Sequence, residues 1–258
     1  MTIFFITAVA LLLPYRFIIR RANRQLIFMQ RFTASQVSAD KASIIIAARN
    51  EETNIGPCLE SLLAQDFPPS QMEIIVVDDQ SVDGTAALVK SYADRGIRLI
   101  SLGKDEAFGK KAAIARGIAA ATHGIIITTD ADCSYSNKWI NTLLCFREKM
   151  DAVFVAAPVQ FRKEINLLDR FQSLDFMALQ GITAAGVSSK YLNMCNGANL
   201  LYAKEAFLQV RGFEGIDHIA SGDDMLLMEK IDKAFPGGSA YCFSTDAIVV
   251  TEPAASWS

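Results

Sequence analysis

Three apolar, β-branched stretches of this chain end abruptly in charge. Residues 44–48 run into Arg49-Asn50-Glu51-Glu52, residues 72–77 into Asp78-Asp79, and residues 125–129 into Asp130-Ala131-Asp132. A strand that is apolar throughout and stops at carboxylates belongs to a sheet covered on both faces, with its polar end exposed at an edge. Segments of helical spacing separate the strands. Residues 54–64 carry Ile55, Leu59, Leu62 and Leu63, residues 85–93 follow the second strand, and residues 109–121 present Ile114, Ile118 and Ala121 on one face. With a further strand over 97–102, this alternation predicts an α/β fold: a central, mostly parallel or mixed sheet with helices on both faces. The charged strand ends then share one edge, where open sheets of this kind bind ligands.

The remainder continues the pattern less regularly. Helices are expected over 137–150, 164–184, 204–210 and 223–234, and strands over 152–158, 199–203, 241–243 and 247–250. The 164–184 helix has Leu167, Leu168, Phe171, Leu174, Met177 and Ala178 as its apolar stripe, expected to face the core rather than a membrane. Ahead of the domain (42–258) lies a mixed polar linker (30–41), and before it an apolar and basic segment (1–29). That segment is almost without polarity from Thr2 to Leu13, reaches Pro14, and then interleaves Arg16, Arg20, Arg21 and Arg24 with apolar residues. The apolar run is shorter than a full span of about 20 residues. The arginines on its C-terminal side predict a membrane anchor with the catalytic domain facing the cytoplasm. A secretory signal has the reverse order of charge and apolar run.

Composition removes several function classes. A net charge of −3 offers no basic surplus for neutralising phosphates, so no nucleic-acid partner is expected. His123 and His218 are the two histidines, which excludes multi-histidine metal centres and argues against a serine-histidine triad. Five cysteines form no CxxC pair and no even set, the usage of reduced thiols rather than of a disulfide frame or zinc site.

The strand ends carry the chemistry. Asp130 and Asp132 repel each other unless a cation lies between them, and hard ions such as Mg²⁺ or Mn²⁺ take oxygen ligands while leaving positions for phosphate. A metal-diphosphate site follows, against the plainer alternative of a polar turn. Asp79 can accept the imide proton of a uracil, or cap the next helix, for which Ser81, Asp83 and Thr85 also serve. Lys110 and Lys111 open the 109–121 helix, where an ammonium and the helix N-terminus together suit diphosphate oxygens; a solvated lysine pair is the alternative. Ser221-Gly222-Asp223-Asp224 begins the 223–234 helix. The dipole alone favours acids there, but a carboxylate in a cleft also takes a proton from an acceptor hydroxyl, and Asp224 is the candidate.

The order of these motifs resembles family 2 glycosyltransferases, inverting enzymes of the nucleotide-diphospho-sugar transferase (GT-A) fold that include synthases of cellulose, chitin and hyaluronan. The match spans residues 43–253. It runs through Ala47-Ala48-Arg49-Asn50-Glu51-Glu52, Val76-Val77-Asp78-Asp79 with Asp83-Gly84-Thr85, and Gly109-Lys110. It continues through Asp130-Ala131-Asp132, Asn196-Gly197-Ala198-Asn199 and Gly212-Phe213 to Gly222-Asp223-Asp224. The resemblance implies that Asp79 contacts the uracil, that Ala48 and Glu51 line the base pocket, and that Lys110, Asp130 and Asp223 complete the donor site. It implies Asp132 as ligand of the Mg²⁺ or Mn²⁺, Asn196, Gly197 and Gly212 in the acceptor or sugar pocket, and Asp224 as general base. The implied partners are a nucleotide-sugar donor, a saccharide or lipid acceptor, and a membrane through the N-terminal segment.

Polymerising members follow this region with a Gln-x-x-Arg-Trp segment and membrane helices. Here Thr251-Glu252-Pro253 resembles the approach to that segment, which itself is missing, so the domain is expected to be C-terminally incomplete. Two rival functions compete. In a phosphatase of the haloacid-dehalogenase type Asp130 would be the nucleophile and Asp132 the acid/base, but that family places its Asp-x-Asp on the first strand of the domain. The other rival is a truncated domain that binds nucleotide or a partner subunit without catalysis. A Rossmann dehydrogenase and a sugar-nucleotide pyrophosphorylase both lack their glycine-rich loop here.

Overall fold

The computed structural model of the protein describes residues 2–103, 105, 107–162, 166–219 and 221–253. The four N-terminal apolar runs become parallel strands: β1 (Ala42–Ala48), β2 (Met72–Asp78), β3 (Ile97–Ser101) and β4 (Ile125–Asp130). They lie in the order β3-β2-β1-β4. In register, Ala47 pairs with Asp130 and Ala48 with Asp78, so the polar ends emerge side by side. The chain order reverses between β1 and β4, and a crevice opens at such a switch point outside the carboxyl ends of the strands.

Alternate residues of each strand feed two cores. Ile44, Ile46, Val76 and Ile127 pack under α2 (Ile55–Leu63), α3 (Thr85–Lys90) and α5 (Trp139–Met150), through Leu59, Val89 and Trp139. Ile45, Ile75, Val77 and Ile126 pack on the opposite face against α4 (Lys110–Ala120) and α8 (Asp223–Ala234), through Ile114, Ile118, Leu227 and Ile231. Helices on both faces of a mixed sheet are the expected architecture, and the reason is visible in the strands: every second side chain needs a separate cover.

The sheet then extends as β4-β8-β6-β9, with β6 (Phe154–Ala156), β8 (Leu200–Ala203) and β9 (Ser239–Tyr241). β8 runs antiparallel to both its neighbours, which makes the seven-stranded sheet mixed. The strand expected over 152–158 is β6, which is shorter than expected and ends before Pro158. Pro158 cannot donate to a ladder, and after it β7 (Val159–Phe161) leaves to join β10 (Val249–Thr251) and the two-residue β5 (Ser134–Tyr135) in a small second sheet of order β5-β10-β7.

The N-terminal expectation is overturned. Thr2–Phe28 is one helix, α1, which continues through Pro14, so Arg16, Arg20, Arg21 and Arg24 belong to the same helix as the apolar run. Interleaved arginines are expensive at bilayer depth. Among the described residues no helix is long and apolar enough to cross a membrane, and the membrane-associated placement inferred from the sequence is withdrawn. The end of α1 turns to the protein instead: Leu26 packs against the second core, and the Arg21 guanidinium sits 4.3 Å above the Tyr191 ring. The expected linker is tied down as well, with Ser38 N–H donating to Asn141 Oδ1 at 2.9 Å and Asp40 pairing with Arg147 at 2.9 Å.

The helix expected over 164–184 is α6 (Leu167–Ser188); Glu164 lies outside the described residues. Asn166 starts it with a reciprocal capping box to Asp169. Its predicted core stripe faces outward, for Leu167, Phe171, Leu174 and Met177 are exposed. The buried part is the last turns, Thr183–Val187. Periodicity located the helix but assigned its core contacts two turns too early.

Candidate active site

The loops after β1 and β2 are laced together. Asn50, at a φ of 56°, donates its N–H to Ser81 Oγ (2.9 Å) and accepts from Val82 N–H (2.9 Å). Glu51 N–H donates to Thr85 Oγ1 at 2.8 Å, and Glu52 accepts from Gly84 N–H at 2.9 Å. Asp83 in turn accepts from the Thr85 hydroxyl and N–H. Ser81, Asp83, Gly84 and Thr85 are therefore occupied in shaping the rim, which leaves Asp79 to face the crevice. Asp79 is buried; one oxygen accepts Gly109 N–H at 2.9 Å and the other lies 3.6 Å from Arg49. Gly109, at a φ of 95°, takes a backbone conformation closed to most side chains. That conformation turns its N–H onto Asp79 while starting α4.

Lys110 follows at once, and its ammonium meets Asp130 at 2.5 Å. Burial pulls the Lys110 pKa down, but Asp130, with Asp223 and Asp224 beyond it, outweighs burial and holds the lysine above its ordinary value, firmly charged. Asp132 accepts the Thr251 hydroxyl of β10 at 2.7 Å and the Cys133 thiol at 3.4 Å. Beneath the turn, the Tyr135 hydroxyl bonds Thr129 at 2.9 Å and its ring stacks on Trp139.

Two contiguous cavities result. Ala48, Arg49, Glu51, Asp79, Asp130 and Asp132 line the outer one. Asn196, Gly197, Asp223 and Asp224 line the inner one, a hollow of about 170 Å³, together with Thr128, Tyr202 and the apolar Ile114, Leu200, Phe213 and Leu227. Lys110 lines both. Asp224 enters the inner cavity because Gly222, at a φ of 78°, turns the chain into α8. Burial raises the Asp224 pKa and Asp223 adds to the rise, against opposing bonds from Met225 and Gly197 N–H and the charge of Lys110. A carboxyl with raised proton affinity beside a cleft is suited to accept a proton.

Of the residues singled out from sequence, the outer cavity gathers Ala48, Glu51, Asp79, Lys110, Asp130 and Asp132, and the inner one Lys110, Asn196, Gly197, Asp223 and Asp224. Gly212 lines neither. It sits at a φ of 47° where an added Cβ would lie 2.4 Å from the Phe207 ring, and its carbonyl accepts Lys230, so its place is in packing. Asn199, the last of the Asn-Gly-Ala-Asn run, is also structural: wholly buried, it joins Trp139 to the carbonyls of Pro158 and Ala247. Sequence reasoning assigned no role to Arg49, Thr128, Phe213 or Thr251. Arg49, Phe213 and Thr251 stand inside the quoted motifs, which was the available signal.

Among the described residues no group of three or more His, Cys, Asp or Glu side chains is placed to hold a metal by itself. The oxygens of Asp132 and Asp130 at the outer cavity nevertheless fit Mg²⁺ or Mn²⁺, which bind through one or two carboxylates and complete their shell with phosphate and water.

Residues 43–210 match the model of glycosyl transferase family 2. The chain belongs to that family. With the mixed sheet and its flanking helices, this is the GT-A nucleotide-sugar transferase fold. Among its relatives, glycosyltransferase AglE of Haloferax volcanii is 27% identical over 208 residues, covering 80% of this chain and 65% of its own length. A dodecaprenyl-phosphate galacturonate synthase of Rhizobium johnstonii is 30% identical over 125 residues, 47% of this chain and 36% of its own. The chain thus spans less than two thirds of either relative. The mannosyltransferase PcManGT of Pyrobaculum calidifontis, solved with GDP-Man and Mn²⁺, superposes with a TM-score of 0.70 at 19% identity, covering 96% of this chain and 67% of that one. S. aureus TarS 1–349, solved with UDP-GlcNAc, gives 0.62 at 19% identity, with coverages of 84% and 60%. Family membership sets aside the phosphatase reading, in which Asp130 would have to be a free nucleophile rather than the partner of Lys110.

Proposed function

We propose that this chain transfers a sugar from a nucleoside-diphosphate donor to a hydroxyl of a saccharide or lipid acceptor, with inversion at the anomeric carbon. The observation that carries this reading is the position of Lys110. It lines both cavities, between the strand-end carboxylates of one and the Asp223-Asp224 pair of the other.

The base of the donor lies against Ala48 and Glu51 and donates a hydrogen bond from its imide N–H to the Asp79 carboxylate. Lys110 and the N-terminus of α4 face the diphosphate. The sugar enters the inner cavity, which brings its anomeric carbon between Lys110 and Asp224. Asp224 removes the acceptor proton as the hydroxyl attacks; the bond to the diphosphate breaks in line, and a single displacement inverts the centre. Mg²⁺ or Mn²⁺, held by Asp132 with Asp130 beside it, would supply positive charge to the departing diphosphate. The Mn²⁺ named with PcManGT supports such a requirement. The motif order that resembles cellulose, chitin and hyaluronan synthases makes a polysaccharide acceptor one form of this proposal, and the relative named for dodecaprenyl phosphate makes a lipid acceptor the other.

Calorimetry with UDP and with GDP, with and without Mn²⁺, tests the donor site. Metal-dependent binding that Asp132→Ala removes is expected; metal-independent binding, or none by folded protein, would refute it. Asp224→Asn should keep nucleotide affinity and lose transfer. Retained transfer would remove Asp224 as the base, and binding without transfer in the parent chain would favour a non-catalytic nucleotide-binding domain.

A further inference from the structure

We propose that the donor sugar is a neutral pyranose and that the inner cavity rejects uronic acids. The inference rests on the donor reading above and adds the class of sugar. Family membership does not decide it, since one relative is named for galacturonate.

The inner cavity is a ring-sized hollow of about 170 Å³, in which Ile114, Leu200, Phe213 and Leu227 are joined by the hydroxyl-bearing Thr128 and Tyr202. The charges that line it are unbalanced. Asp223 and Asp224 both line it, and among the described residues Lys110 is the cation that does so. Lys110 is already committed, its ammonium 2.5 Å from Asp130, and the diphosphate lies on its other side. The neighbouring cations point elsewhere. Lys111 donates to the carbonyls of Ile216 and Ile219, and Lys230 to those of Gly212 and Glu214. A uronate C6 carboxylate brought here would meet two carboxylates, and Lys110, the cation that lines the cavity among the described residues, is already paired. A buried, unpaired charge of that kind is strongly disfavoured.

A neutral sugar meets the opposite situation. Its hydroxyls are donors, and the Asp223 carboxylate accepts no hydrogen bond from the described residues, which leaves its lone pairs for them. The Asn196 side-chain oxygen is held by Ala198 N–H at 2.9 Å, so its amide N–H groups remain to face ring or hydroxyl oxygens. The apolar side chains of Ile114, Leu200, Phe213 and Leu227 suit the C–H face of a pyranose.

The experiment titrates the full chain, with Mn²⁺, with UDP, UDP-glucose and UDP-glucuronate, and in parallel with GDP, GDP-mannose and GDP-mannuronate. In the series whose base is accepted, the uronate donor should bind at least about tenfold more weakly than the neutral one, the scale of one like-charge contact in a partly buried site. Asp223→Asn should shrink that ratio to about threefold or less, with the free nucleotide titrated alongside to report an intact outer cavity. Equal or tighter binding of the uronate donor would overturn the proposal. So would a tenfold ratio that persists in both Asp223→Asn and Asp224→Asn. Failure of every nucleotide to bind would overturn the donor reading and this inference with it, whereas normal nucleotide binding without sugar discrimination would overturn this inference alone.

Discussion

Asn199 is wholly buried at the start of β8, and its amide is used on both sides. Its oxygen accepts the Trp139 indole N–H at 3.0 Å; its nitrogen donates to Pro158 O at 2.7 Å and Ala247 O at 2.8 Å. In Asn199→Ala the Pro158 carbonyl keeps a partner, because Val249 N–H reaches it at 3.0 Å. Two buried groups are then left bare, the Trp139 N–H and the Ala247 carbonyl. At about 1–3 kcal/mol each, the loss is about 2–6 kcal/mol, a large share of a typical 5–15 kcal/mol. With a urea slope of about 3 kcal/mol per M, the midpoint followed by circular dichroism should fall by about 1–2 M. Trp139→Phe removes one end of the same bond, so the double variant should lose less than the sum of the singles. A loss under about 1 kcal/mol at unchanged slope, or strict additivity, would refute the assignment of this amide as the clasp between α5 and the small sheet.

Three further outcomes follow from the site. Asp224 has its pKa raised by burial and by Asp223, so its favourable contribution to stability is complete below the unfolded pKa and is lost as pH rises through the folded one. Asp224→Asn should therefore melt higher than the parent at pH 7.5, with the gap closing toward pH 4, and in the parent the acid limb of transfer should lie above the ordinary carboxylate range; a gap that widens on acidification contradicts this. Thr251→Val removes the hydroxyl that Asp132 accepts and should weaken Mn²⁺-dependent nucleotide binding by about tenfold. The thermal midpoint should be unchanged and Thr251→Ser should restore affinity; a loss of affinity that tracks a loss of stability, or that Thr251→Ser does not repair, would make the effect merely structural. Gly117 lets α4 rest on the sheet, since an added Cβ would lie 2.5 Å from Ile45 Cγ2 and 3.1 Å from Val77 Cγ2. Gly117→Ala should destabilise by about 1–3 kcal/mol in urea unfolding, and a neutral result would show that the helix has room to shift.

The parallel half of the fold was legible because its signals are local. β1, β2 and β4 are β-branched runs that stop at carboxylates, and the helices between them keep a regular period. What stayed hidden depends on partners distant in sequence. Nothing near Leu200 announces that β8 inserts antiparallel between β4 and β6, and nothing near Pro158 announces that the chain leaves for a second sheet. α6 shows the same limit, for its apolar stripe was visible and its solvent-facing orientation was not. At the site, carboxylates clustered at strand ends were readable as a group. Their division of labour was not, because the bond from Gly109 to Asp79, the Lys110 contact with Asp130 and the Thr251 hydroxyl on Asp132 all join separate elements. The N-terminal arginines marked a boundary in the sequence where the helix has none.

The two lysines that open α4 have separate employments although they are neighbours. Lys110 reaches Asp130, while Lys111 reaches the carbonyls of Ile216 and Ile219, in the stretch that leads to Asp223 and Asp224. Successive residues of a helix point about 100° apart, and that angle separates the two tasks. α4 therefore acts as a phased key: one residue inserted between Gly109 and Lys110 would turn both lysines by about that angle, away from Asp130 and from the Ile216 and Ile219 carbonyls. A length change that leaves net charge and every acidic motif untouched would unseat both flanks of the cleft at once.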